Sequence, residues 1–393
     1  MFAIDVAKES FYGAFLLSGQ EVLEIVKWSH PNQTRELGEA LGILSAVRIE
    51  AVMEPSGTYG DSLRQYMRGL GLEIYRVSPK RVHDAAEIYD GVPSLHDAKA
   101  AYNIGRLHLE GVSEPWQEHS EHRRDRHALI AELDLHRSAH NANLNRLEAL
   151  VSRHWPELDR SAELDSASVL QLIATYGSAH AVNDDREQAA ALLRRVSRGF
   201  ARAERIETIV ASAETTLGVA CTEGERRLLQ ALGRELLRNR ELIRGLERQI
   251  GKQVRQDPEL QAIGELVGNT TSLVLESTLG SPLDYPNAHA YQKAMGLNLK
   301  ERSSGKHQGK LKITKRGPGK ARHYLYFSAM RLTQYDPMVH AWYLAKVQRD
   351  GRAPRFNALV AVMRKLALAL WHVARGSAFD SRKLFDAQKL GLA

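Results

Sequence analysis

Met1-Phe2-Ala3-Ile4-Asp5-Val6 opens the chain as a short apolar run that ends on a carboxylate. A second, mostly apolar run, Ile49 to Met53, ends on Glu54. A third, Leu72 to Val77, precedes a helical stretch that opens at Asp97. Phe2–Val6, Phe11–Leu17 and Glu21–Val26 read as three successive strands, the last two separated by the turn Ser18-Gly19-Gln20. Arg35 to Leu44 reads as a helix, Val47 to Met53 as a buried strand, and Tyr59 to Leu70 as a helix. Leu72 to Val77 is a fifth strand, and Asp97 to Leu109 is helical. Three strands followed by alternating helix and strand predict an α/β unit, a mixed sheet with helices on its faces.

Asp5, Glu54 and Asp97 therefore stand at strand ends and at the head of a later helix. This pattern resembles an RNase H-like fold, which collects carboxylates around a metal ion in that way. Carboxylates suit Mg²⁺ because it is hard, takes oxygen ligands, and keeps waters for a phosphate to displace. Each acid taken singly also reads as an ordinary strand-end residue capping a turn, and the spacing leaves both readings open.

At 393 residues the chain is long enough for two or three domains. Lys and Arg total 54 against 47 Asp and Glu, a net charge of +7 that favours an anionic partner. The single cysteine, Cys221, excludes an intramolecular disulfide framework and a thiolate zinc cluster. No basic–apolar–small signal peptide opens the chain. The most apolar stretch, Leu359 to Val373, is interrupted by Arg364, Lys365 and His372. A cytoplasmic protein with no membrane partner is expected.

The middle of the chain reads as all-α. Leu129, Leu133, His136, His140, Leu144, Leu147 and Val151 form a coiled-coil-like seam. His136 and His140 share a face at metal-ligand spacing, but no third ligand accompanies them, and polar seam residues also fix register. A second seam runs through Leu229, Leu232, Leu236, Asn239, Ile243, Leu246 and Ile250. Ser166 to Thr215 reads as short helices around Gly177 and Gly199, so the two seams read as antiparallel helices that hold the front and rear domains apart, or as a surface that pairs with another subunit. These patterns divide the chain at 1–115, 116–257 with a helical insert at about 156–215, and 258–393.

In the last part, Leu260 to Gly268 and the helix Thr270–Leu279 read as two short helices joined by a glycine turn. Such a turn presents backbone N–H groups to phosphate, or simply connects helices. The following segment is dominated by cations and glycines: Arg302, Lys306, Lys310, Lys312, Lys315, Arg316, Lys320 and Arg322. Glycine lets such a loop approach a phosphate backbone closely. Ser303 and Ser304 lie inside it, and Ser304 precedes Gly305. A hydroxyl there would meet a scissile phosphate among charges that stabilise the developing anion. The same loop also reads as a solvated basic segment whose serines cap helices.

Taken together, these segments resemble transposases of the insertion-sequence 110 / 1111 family, the DEDD transposases related to the Piv DNA invertase. The resemblance spans Ile4-Asp5-Val6, Met53-Glu54-Pro55-Ser56-Gly57, Ser78-Pro79, His96-Asp97-Ala98-Lys99, the helical middle, Tyr291 to Gly296, Arg302 to Lys306 and Lys315-Arg316-Gly317. It implies a RuvC-like front domain with Mg²⁺ at Asp5, Glu54 and Asp97, and a mainly helical C-terminal transposase domain. It implies Ser304 as the nucleophile that becomes joined to DNA. It also implies donor and target DNA, a structured guide (bridge) RNA, and a homodimer or tetramer as partners. The Leu229–Ile250 seam is then a candidate subunit interface.

One departure concerns the third ligand. The family has two aspartates spaced by three, and with Asp97 as the second, the first falls on Ser94. Asp90, one helical turn earlier, would substitute for it, or the site would work with three carboxylates. Two other readings remain open. One is a metal-dependent junction resolvase or nuclease using water. The other is an inactive nucleic-acid-binding scaffold.

Overall fold

The computed structural model describes residues 1–17, 21–43, 48–55, 57–301, 311–351 and 355–386. The chain forms two compact units, Met1–His119 and Ser120–Ala393.

The first unit contains β1 (Phe2–Asp5), β2 (Ser10–Leu16), β3 (Val22–Ser29), α1 (Thr34–Ile43), β4 (Glu50–Met53) and α2 (Asp61–Gly69). It continues with β5 (Glu73–Arg76), α3 (Pro79–Asp84), α4 (Asp97–Leu109) and β6 (Glu114–Pro115). The sheet order is β3-β2-β1-β4-β5-β6. β1 pairs antiparallel with β2 and parallel with β4, β4 pairs parallel with β5, and β6 closes the edge antiparallel. This is the expected mixed sheet. β3 runs to Ser29, beyond the expected Val26, because Trp28 is buried against the Phe2 and Phe11 rings, at 5.8 and 5.6 Å between centroids. The two-residue β6 and the short α3 carry too little periodicity to be read from sequence.

Strand alternation sorts the two faces of β1. Phe2 and Ile4 pack with Met53, Leu63 and Met67. Ala3 faces the other way, into a cluster with Val52, Ala101 and Ile104, and so lies under α4. Gly105 permits this contact, since a Cβ there would sit 2.7 Å from Leu16 Cδ1 and 3.1 Å from Ala3 Cβ.

The second unit is mostly helical. Two long helices, α5 (Glu121–His154) and α11 (Glu223–Arg255), bracket α6 (Pro156–Ser161), α7 (Ala167–Tyr176), α8 (Ala179–Asp184), α9 (Arg186–Ser197) and α10 (Ala203–Glu214). Leu129 and Leu133 share a cluster with Leu246 and Ile250, while Leu147 and Val151 share one with Leu229 and Leu236. Early residues of one helix thus meet late residues of the other, and the pair is antiparallel. Both seams are filled from within the chain: Leu133, Leu147, Leu236 and Ile250 are fully buried. The Leu229–Ile250 seam is therefore an internal packing surface. His136 Nδ1 donates to Asn239 Oδ1 (3.2 Å) and His140 Nε2 donates to Asp165 Oδ1 (2.9 Å), so the two histidines turn to different partners.

The chain continues with α12 (Pro258–Val267), α13 (Asn269–Leu279), α14 (Ala288–Ala294), β7 (Leu299–Lys300), β8 (Lys312–Ile313), α15 (Gly319–Tyr335), α16 (Pro337–Arg349) and α17 (Arg355–Ala374). α17 is long and apolar enough to cross a membrane, but half of its apolar window is buried. Its Leu359, Val362, Leu366 and Leu370 form the C-terminal core with Leu325 and Tyr291.

Candidate catalytic carboxylates and basic hairpin

Asp5 ends β1, and Glu54 follows the last residue of β4. These strands are parallel neighbours with Ile4 opposite Met53, so the next step along both brings Asp5 beside Glu54. Asp5 follows the parity of Ala3, and Glu54 that of Val52, which places both carboxylates on the α4 face. α4 begins at Asp97, with His96 as its N-cap accepting from Lys99 N at 3.3 Å. The three acids that the sequence singles out therefore come from two strand ends and one helix start. β1 is also where the sheet changes from parallel to antiparallel pairing.

Their electrostatics report the same convergence. Burial, then the Asp97 charge, raise the Asp5 carboxyl from 3.8 to about 6, although the Val6 N–H opposes the shift. Burial, then the Asp5 charge, also hold Glu54 above its ordinary value. Carboxylates desolvated near like charges favour a proton or a cation between them.

Among the described residues no group of three or more His, Cys, Asp or Glu is placed so as to hold a metal ion. Mg²⁺ does not require one, because one or two carboxylates with waters and phosphate oxygens complete its octahedron. Asp5 and Glu54 would offer two such carboxylates, both partly desolvated, with the Asp97 charge beside Asp5.

Asp90 lies elsewhere in this network. It accepts from Lys99 Nζ at 2.8 Å and from Val92 N at 3.0 Å, and the Lys99 bond holds its carboxyl below the usual range. Lys99 also donates to Val92 O at 2.6 Å. This pairing crosses an irregular loop, where local sequence spacing gives no signal. Ser94 is exposed in that loop.

In sequence the serine segment lies between the two strands of an antiparallel ribbon. β7 and β8 pair with Leu299 opposite Ile313 and Lys300 opposite Lys312. Arg302, Ser303, Ser304, Lys306 and Lys310 lie outside the described residues. The foot of the ribbon is closed by Thr314 N to Asn298 O and Lys315 N to Gly296 O, both 2.9 Å. Gly317 has φ 148°, and a Cβ on it would lie 2.1 Å from Ala294 O. Arg322 donates to Met295 O at 3.0 Å and Gly317 O at 2.9 Å, and burial lowers its pKa. Arg364 donates to Leu297 O at 2.8 Å.

Of the eight expected phosphate-binding cations, the five among the described residues divide by environment. Lys312, Lys315 and Arg316 are exposed beside the ribbon. Arg322 clamps the ribbon's foot, and Lys320 pairs with Asp134 at 2.7 Å. Sequence alone did not reveal those two structural partnerships, because Asp134 and the clamped carbonyls are distant in the chain or belong to the backbone.

Residues 266–344 match the model of the transposase IS116/IS110/IS902 family. The matched segment runs from the end of α12 through the ribbon and α15 into α16. No curated protein matches the chain. The family match supports a transposase or recombinase role, with DNA as the substrate.

Proposed function

We propose that this protein is an RNA-guided DNA recombinase of an insertion sequence, cutting and rejoining strands through Ser304 with Mg²⁺ held at the carboxylate site. The observation that carries the reading is the juxtaposition of Asp5, Glu54 and Asp97 at one end of a mixed sheet, in a chain whose rear matches a transposase model. The front unit is then RuvC-like. Bound Mg²⁺ would supply charge neutralisation at the phosphate.

The chain's own residues have separate tasks in this reading. Asp5 and Glu54 are the primary oxygen donors, and Asp97 increases the negative potential that draws the cation in. Lys312, Lys315 and Arg316 hold backbone phosphates, while Arg322 keeps the ribbon's foot closed. Ser304 Oγ bonds to phosphorus as the bond to one nucleoside oxygen breaks, and the serine proton ends on that released hydroxyl. A hydroxyl on another strand then reverses the link and joins the new partner. Target choice rests on guide-RNA pairing, leaving the protein to read backbone and shape.

Asp5→Asn and Glu54→Gln test the metal assignment. Each is expected to lower strand transfer by orders of magnitude, because a neutral amide is a poor Mg²⁺ ligand. Wild-type rates from both variants in the presence of a chelator would contradict it.

A further inference from the structure

α11 carries Arg244, Arg248, Lys252 and Arg255, all exposed, at steps of four, four and three residues. Those steps place them on one helical face. At the helical rise, successive cations lie about 5–6 Å apart and the row spans about 16 Å. They line an open groove of about 770 Å³.

Its acidic lining is already paired. Glu247 meets Arg137 at 2.6 Å, and Glu241 meets Arg248 at 3.3 Å. Among the described residues Arg244, Lys252 and Arg255 have no acidic partner. The groove's surplus is therefore cationic.

Gly251 lines the groove, and a Cβ there would lie 3.4 Å from Arg255 Nη1 and 3.5 Å from Asn269 Nδ2. Asn269 is the first residue of α13, so the groove ends at a helix N-terminus. That terminus adds partial positive charge beside the row.

We propose that this groove seats a DNA backbone strand, as a surface additional to the basic ribbon. A linear row of cations matches a linear run of phosphates better than it matches a compact anion. Asn269, at the groove's end, lies within the segment that matches the transposase model, which points to DNA as the occupant. The proposal rests on the DNA-recombinase reading.

The test is the salt dependence of duplex DNA binding, comparing the full-length protein with the Lys252→Ala/Arg255→Ala double variant. Each lost phosphate contact removes about 0.9 from the slope of log affinity against log salt, so the double variant should lose about 1.8. The charge-retaining Lys252→Arg/Arg255→Lys variant should restore the slope. An unchanged slope in a folded double variant would overturn the groove while leaving the recombinase reading standing. Loss of binding to a structured RNA, with duplex DNA binding intact, would overturn the choice of DNA. Failure of the wild-type protein to bind DNA would overturn both.

Discussion

Asp5 is where the competing demands of stability and chemistry meet. Burial and the neighbouring Asp97 raise its folded pKa to about 6 from 3.8, so the folded state holds its proton more tightly than the unfolded state does. The folded state therefore binds more protons between about pH 4 and 6, and stability falls as pH rises through that window. Below it, both states are protonated and the difference vanishes. Above it, the destabilisation is fully present. Asp5→Asn is thus expected to raise Tm at pH 7 in the presence of a chelator, while abolishing strand transfer. It should also flatten the Tm profile between pH 4 and 6. Mg²⁺ should raise the wild-type Tm more than that of the variant, since binding only the folded state stabilises it. A lower Tm for Asp5→Asn across the whole range would show that the carboxylate is structural. Asp90→Asn offers the contrast: its carboxyl is held by Lys99, so its loss should open the loop before α4 more than it affects metal response.

At the scale of elements, two glycines set the geometry of the two centres. Gly105 lets α4 lie on β1, and Gly105→Ala would force its Cβ to within 2.7 Å of Leu16. Overpacking of this kind costs roughly 1–3 kcal/mol, read as a lower Tm or denaturation midpoint. Gly317→Ala would place a Cβ against Ala294 O at a φ that L-residues rarely adopt. It should impair strand transfer while the pH profile set by Asp5 persists. An unimpaired Gly317→Ala protein would remove the ribbon's foot from the account. The strands around Asp5 and Glu54 were legible in sequence because apolar runs alternate with turn signals. The proximity of the acids follows from strand order, and strand order was carried only by the family-like pattern. The clamping roles of Arg322 and Arg364 were not legible, since their partners are backbone carbonyls brought close only by folding.

For the whole molecule, the two seams that read as coiled coil are consumed internally by α5 and α11 and by the helical insert. A repeat of leucines at seam spacing looks the same whether its partner lies in the same chain or another, which is why sequence left that choice open. Any subunit interface of an active dimer or tetramer must therefore use other surface. Mixing Asp5→Asn protein with Ser304→Ala protein distinguishes shared from self-contained sites. Recovered recombination would require the carboxylates and serine of different subunits to cooperate, whereas mixed oligomers without activity would confine both to one chain. Capture of a covalent protein–DNA adduct on a nicked donor in Mg²⁺ decides between serine and water as the nucleophile. An adduct mapped to Ser304 is expected in wild type, none in Ser304→Ala, and little in Asp5→Asn. Full recombination by Ser304→Ala, with no adduct on any serine, would contradict serine attack and point to water as the nucleophile.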